Sequence, residues 1–138
     1  RSIRKFNVRK TKIYWHYRLK NGKMIFNQKG YFMKYYYISD IHLEFLKKIY
    51  FNQILKYFDV LTKNDVIIFN GDVCSPKYQL DTLLNYLSHK VKHIIYVAGN
   101  HEYYGSSIQE IDNYITSLED KYLNFSFLNN KKIKIKNN

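Results

Sequence analysis

Val66-Ile67-Ile68-Phe69-Asn70-Gly71-Asp72 is the stretch on which the fold turns. Four consecutive apolar residues are halted by Asn-Gly, a pattern that suits a strand buried inside a parallel sheet. Downstream, Leu80, Leu83, Leu84 and Leu87 repeat at helical spacing. A second short apolar run, Ile94-Ile95-Tyr96-Val97, then ends at Gly99. Ile108, Ile111, Ile115 and Leu118 mark another helix, with Ser106 or Ser107 as its cap. Upstream, Ile49 to Leu61 carries an apolar stripe at Ile54, Leu55, Phe58 and Leu61, and Tyr35 to Ser39 reads as a strand. Asn124–Leu128 and Lys132–Lys136 flank Asn129-Asn130 and are expected to form a hairpin. The order β-α-β-α-β-α-β-β predicts an α/β domain with a parallel sheet.

The 138 residues, 46% of them hydrophobic and with one Pro and five Gly, suffice for one domain with a true core. They exclude a collagen-like or Pro/Gly-rich disordered chain. The longest apolar runs fall far short of the roughly 20 residues needed to span a bilayer. No apolar segment near the start resembles a signal peptide, and the single Cys74 excludes an internal disulfide and fits a reducing compartment. The expectation is a soluble cytoplasmic protein without a membrane partner.

The net charge of +12 is unevenly placed. Residues 1–34 hold eleven of the 23 Lys and Arg and none of the 11 acids, whereas 35–130 hold all the acids and eight Lys. A mildly acidic body therefore sits between two basic ends, and the average misrepresents it. We place a boundary near Met33: residues 1–33 form a basic aromatic extension and 34–138 the domain.

Ligands of open parallel sheets gather at the carboxyl ends of the strands. Here those ends read Ser39-Asp40-Ile41-His42, Asn70-Gly71-Asp72 and Gly99-Asn100-His101-Glu102. Asp40 and Asp72 stand 32 positions apart and Asp72 and Asn100 stand 28 apart, each interval holding one helix and one strand. Adjacent parallel strands would bring Asp40, His42, Asp72, Asn100 and His101 to one edge. Carboxylate and carbonyl oxygens suit Mn or Mg, and an imidazole brings Fe and Zn into range. A carboxylate such as Asp72 has two oxygens with which to bridge two ions about 3.5–4 Å apart, the arrangement that clamps a phosphoryl group.

Asp40-Ile41-His42, Gly71-Asp72 and Gly99-Asn100-His101-Glu102, in this order and approximate spacing, resemble the calcineurin-like metallophosphoesterase family. Ser39 through Phe45, Gly99 through Gly105 and Phe127-Leu128-Asn129-Asn130 strengthen the likeness, which covers residues 34–136. The family pattern continues with an isolated His and a Gly-His-x-His motif, and no His follows His101 here. The resemblance therefore implies the N-terminal half of the domain, the parallel-sheet half of a truncated αββα sandwich. It implies two divalent metals (Mn, Fe, Zn or Mg, with Mn favoured) and hydrolysis of phosphomonoesters or phosphodiesters by metal-activated water. By the same resemblance, Asp40 and His42 bind the first metal and Asp72 bridges both. Asn100 would hold the second metal and a phosphate oxygen, and His101 would stabilise the transition state or protonate the leaving alkoxide. A half-sandwich would expose one sheet face to self-association.

Other residues read more plainly. Cys74 is expected to be a buried, inert thiol. His16 is expected in an aromatic strand, within a stretch that reads either as a strand pair turning at Asn21-Gly22 or as a poorly ordered extension, and His89 and His93 are expected at the surface. Glu44 and Glu102 lie near the site as supporting groups, not ligands, and Tyr103 and Tyr104 are candidates to stack on a base or aryl group. Two rival functions remain: a non-catalytic interaction module on the same fold, and nucleic-acid binding through residues 1–32 and 131–136.

Overall fold

Residues 33–135 and two short strands, β1 (Phe6–Val8) and β2 (Thr11–Ile13), are described by the structure, a computed structural model. β1 and β2 pair antiparallel with Phe6 opposite Ile13. His16 and the expected Asn21-Gly22 turn lie outside the described residues.

The sheet that positions the site has four strands, β3 (Tyr35–Ile38), β4 (Val66–Asn70), β5 (His93–Val97) and β6 (Phe125–Phe127). They lie in the order β3-β4-β5-β6 and every pair is parallel. Helices α1 (Lys48–Tyr57), α2 (Pro76–Ser88) and α3 (Ile108–Lys121) make the three crossovers. Crossovers between parallel strands are right-handed, so strands laid down in sequence put every helix on the same face. The burial agrees. Tyr36, Ile67, Ile94 and Phe125 form one row across the sheet and Ile38, Phe69, Tyr96 and Phe127 the next. All eight belong to one core cluster with Phe51, Ile54 and Leu55 of α1, the α2 leucines and Ile111, Ile115 and Leu118 of α3.

Leu80, Leu83, Leu84 and Leu87 are wholly buried, which makes α2 the central helix of the layer. Each such leucine contributes about 1.5–3 kcal/mol relative to an exposed one. Ser107, one of the two expected caps, starts α3 by accepting the Glu110 N–H at 3.2 Å. The opposite face of the sheet carries Tyr35, Tyr37, Ile68 and Val97, with Tyr35 and Val97 exposed, and buries Val66 and Ile95 apart from the main cluster.

Two expectations are corrected. The stripe from Ile49 to Leu61 is not one helix: α1 ends at Tyr57 and tightens into a 3-10 turn over Phe58–Val60, which drives Phe58 into the core. The expected hairpin does not form, because residues 131–135 belong to no strand. β6 takes its pairing from β5 instead, continued by the Leu128 N–H on the Tyr96 carbonyl at 2.8 Å. Asn129 donates to Asp112 of α3 at 2.6 Å, and Asn130 turns through φ 53°. The Lys-Ile alternation that follows has no face to bury, and Ile133 stays 37% exposed.

Candidate metal centre

Beyond β3 and β4 the two chains keep running side by side after the regular ladder stops. Asp40 N–H donates to the Gly71 carbonyl at 3.1 Å, His42 N–H to Asp72 at 3.0 Å and Leu43 N–H to Val73 at 2.8 Å. Ile41 and Leu43 are fully buried, so the residues that alternate with them, Asp40, His42 and Glu44, line the open side. Asp40, His42 and Asp72 adopt left-handed backbone, at φ 55°, 49° and 54°. Asp and His visit that region more readily than most residues, yet each such conformation costs on the order of 1–3 kcal/mol and persists only where the surroundings enforce it.

Asp40 and His42 are held by their backbone bonds to Gly71 and Asp72, and Asp72 by Glu102, which is completely buried. Its Oε2 accepts the N–H groups of Asp72 at 3.0 Å and Gly99 at 2.7 Å. Its Oε1 accepts the Val73 N–H at 2.7 Å, the Tyr96 hydroxyl at 2.8 Å and, more weakly, the Cys74 N–H at 3.4 Å. In return, the Asp72 carboxylate accepts the His101 N–H at 3.0 Å. The ends of β4 and β5 are thus stapled in both directions. Two glycines make room for the staple. A Cβ on Gly71, whose φ is 81°, would stand 2.9 Å from Gly99 Cα, and one on Gly99 would strike the Asp72 carboxylate.

Ligand atoms of Asp40, His42 and Asp72 come within 4.8 Å of one another, and so do those of His42, Glu44 and His101. The second group joins the first through His42. The His42 and His101 rings meet edge to face with centroids 4.3 Å apart. Glu44 Oε1 lies 3.4 Å from His42 Nδ1 and 3.0 Å from His101 Nδ1. Asn100 follows Gly99 at the start of the 3-10 turn His101–Tyr103, and its amide donates to the Tyr104 hydroxyl at 2.6 Å on the exposed side.

Two carboxylates and an imidazole, gathered at one point and partly open to solvent, are a donor set that fits Mn, Fe or Zn. The Oε2 atom of Glu44 is buried beside them without a hydrogen-bond partner among the described residues, as expected of a carboxylate built to face positive charge.

The neighbouring groups divide into structural and free ones. Tyr103 donates to Asp112 at 2.8 Å, and partial burial together with that bond pushes its hydroxyl up to about 12, so it serves the fold. Tyr104 is 60% exposed with its ring 4.6 Å from that of His101, and exposed Phe45 flanks both histidines at 5.8 and 6.0 Å. Cys74 is buried, and burial, reinforced by Glu102 and Glu44, pushes its thiol well above the usual range. His89 is exposed as expected, whereas His93 is half-buried at the start of β5 and bonded to Ser126 at 2.9 Å. Sequence reasoning undervalued Glu44 and Glu102. The alternation of Asp40-Ile41-His42-Leu43-Glu44 was the signal for the first, since it sets Glu44 on the same side as the two candidate ligands.

Nothing among curated proteins or solved structures matches the chain. A family model described as calcineurin-like phosphoesterase matches residues 33–136, a stretch that holds all three strand-end motifs and the whole four-stranded sheet. The chain therefore belongs to the calcineurin-like phosphoesterase family, whose N-terminal motifs it carries.

Proposed function

We propose that this chain hydrolyses a phosphomonoester or phosphodiester with the help of two divalent cations, manganese first among Mn, Fe, Zn and Mg. The observation that carries the reading is the convergence of Asp40, His42 and Asp72 within 4.8 Å, each held in a strained backbone that a solvated cap would not need. Asp40 and His42 would hold the first cation, Asp72 would serve both, and Asn100 would hold the second together with a phosphate oxygen. When bound, such a pair neutralises phosphate charge and lowers the pKa of water toward neutrality.

The chain's own residues do the rest. His101 delivers a proton to the leaving oxygen, for which its backbone is fixed by Asp72 and its ring by Glu44. Phe45 and Tyr104 form an aromatic rim against which a flat group of the ester can lie. No described helix is long and apolar enough to cross a membrane, and the buried, unreactive thiol supports a reducing cytoplasm as the compartment. Residues 34–138 form the working domain and 1–33 an extension.

Calorimetric titration of the full chain with Mn²⁺ tests the reading, with Asp72→Asn as control. The expected result is uptake of two ions by the native chain and none by the variant, whose amide still accepts the His101 N–H. Absence of uptake by the native chain, or equal uptake by Asp72→Asn, overturns it.

A further inference from the structure

We infer that Glu44 is a positioning residue that sets two histidines at once, holding His42 and His101 in the form that leaves each Nε2 free for work. The inference rests on the proposed metal reading for His42 and on the proposed proton delivery for His101.

The argument starts from a single oxygen. Glu44 Oε1 is within hydrogen-bond reach of His101 Nδ1 at 3.0 Å and at the outer limit from His42 Nδ1 at 3.4 Å. An ionised carboxylate only accepts, and its oxygen has lone pairs enough for two donors. Both Nδ1 atoms must then carry hydrogen, because a bare ring nitrogen facing a carboxylate at such a distance is repelled. A neutral imidazole has one N–H, so a proton at Nδ1 leaves the lone pair at Nε2.

That is the form a ligating His42 requires, and the form from which His101 can take up at Nε2 the proton it later delivers. For His42, an Nε2 lone pair is the ligating atom, and an Nδ1–H on a carboxylate is the outer support that orients metal-bound imidazoles. For His101, Nε2 first takes a proton from water and then delivers it to the leaving oxygen, while Nδ1–H on Glu44 fixes the ring plane and supports the charged ring in between. The three side chains are only about one-fifth exposed, at 19%, 18% and 23% for His42, Glu44 and His101, so water competes poorly for these bonds. The rings also touch each other edge to face at 4.3 Å, so the turn of one constrains the other. One carboxylate therefore couples the ligand arm to the proton-transfer arm. It does so from the loop after β3, two residues beyond His42, while His101 lies on the loop after β5.

The test reads the rings directly. In the full chain without metal, ¹⁵N spectra of the histidine rings, followed across pH, report which nitrogens carry hydrogen and where the neutral form stands. The native chain is expected to show Nδ1–H at both His42 and His101. In Glu44→Ala the proton moves to Nε2 at both rings, and Glu44→Gln, which keeps one acceptor oxygen, retains Nδ1–H. Mn²⁺ affinity, measured in parallel, is expected to fall about 10–100-fold in Glu44→Ala and to be largely restored in Glu44→Gln. Nε2–H at either neutral ring of the native chain overturns the inference, and so does Glu44→Ala with unchanged tautomers. Should Glu44→Ala not fold, the native spectra and Glu44→Gln still decide. If the native chain takes up no Mn²⁺, the metal reading fails and the ring spectra alone judge Glu44. If it takes up Mn²⁺ and Glu44→Ala binds as tightly, the support of His42 is refuted while the metal reading stands.

Discussion

The two edges of the four-stranded sheet use the same kinds of residue to opposite ends. At the amino edge, Asp65 is buried and spends Oδ2 on Thr62, accepting its N–H at 2.7 Å and its hydroxyl at 2.9 Å. Asn124, also at that edge, donates its amide to the Ser88 and Val91 carbonyls at 3.0 and 3.1 Å, which closes the end of α2. None of these residues has a positive φ. At the carboxyl edge, Asp40, His42 and Asp72 do, and the open backbone groups there are met by Glu102. Among the described residues, the Asp40 and His42 side chains cap no backbone group, whereas the Asp72 carboxylate accepts the His101 N–H. One edge uses its polar side chains to finish the backbone. The other gives most of that work to a single buried carboxylate, with Asp72 meeting one further N–H, and leaves Asp40 and His42 on its open side.

The largest effect is expected at that carboxylate. Glu102→Gln replaces one acceptor oxygen by an NH₂ group that must face either the Asp72 and Gly99 N–H groups or the Val73 N–H and Tyr96 hydroxyl. Each buried donor left unmet costs about 1–3 kcal/mol. The variant should therefore lose about 2–6 kcal/mol, a large share of the stability of a small domain. Tyr96→Phe removes one donor and leaves the carboxylate satisfied by backbone, so its loss should stay near 1 kcal/mol. Urea unfolding of the two variants and the native chain checks this. A Glu102→Gln midpoint equal to the native one would mean that the staple contributes nothing.

A sharper contrast sets Asp65 against Asp72. Asp65→Ala removes the two Thr62 bonds, but Thr62 is exposed and turns to water, so about 1–2 kcal/mol should be lost. Mn²⁺ uptake should not change. Asp72→Asn should abolish uptake at little cost in unfolding free energy, because its side chain can still accept from His101. If Asp65→Ala weakens uptake as Asp72→Asn does, the two edges are not independent and the comparison falls.

How much of this was legible beforehand follows the range of each interaction. The strands at Val66–Phe69 and Ile94–Val97 and the leucine helix between them announce themselves through burial, which composition records directly. The placement of Asp40, His42 and Asp72 at one edge follows from parallel topology alone. The hairpin expected after Asn129-Asn130 was misread because a Lys-Ile alternation resembles a strand whether or not a partner exists. Among the described residues β6 pairs with β5 alone, and Asn129 is drawn to Asp112 on α3. Glu102 was undervalued for the same reason in reverse. Besides the nearby Gly99 N–H and Tyr96 hydroxyl, its donors are the Asp72 and Val73 N–H groups some thirty residues away, which no local pattern marks.

The smallest effect concerns His93, which sequence spacing assigned to the surface. It opens β5 at the amino edge, half-buried, with its ring bonded to Ser126 across the strand pair. Burial lowers its pKa from the usual 6.5. As the pH falls, the unfolded chain therefore takes up the proton first. The stability that His93 contributes is present above 6.5 and is lost as the pH drops through the lower folded value. His93→Gln keeps a donor for Ser126 and cannot titrate, so the native-minus-variant difference should decline between neutral pH and about pH 5. The decline should be shallow, because the ring is only partly withdrawn from water and no charged neighbour adds to the shift. Urea midpoints taken across that range measure it. A flat difference would mean that protonated His93 is accommodated at the amino edge without loss, and that this edge is more open to water than its hydrogen bonds imply.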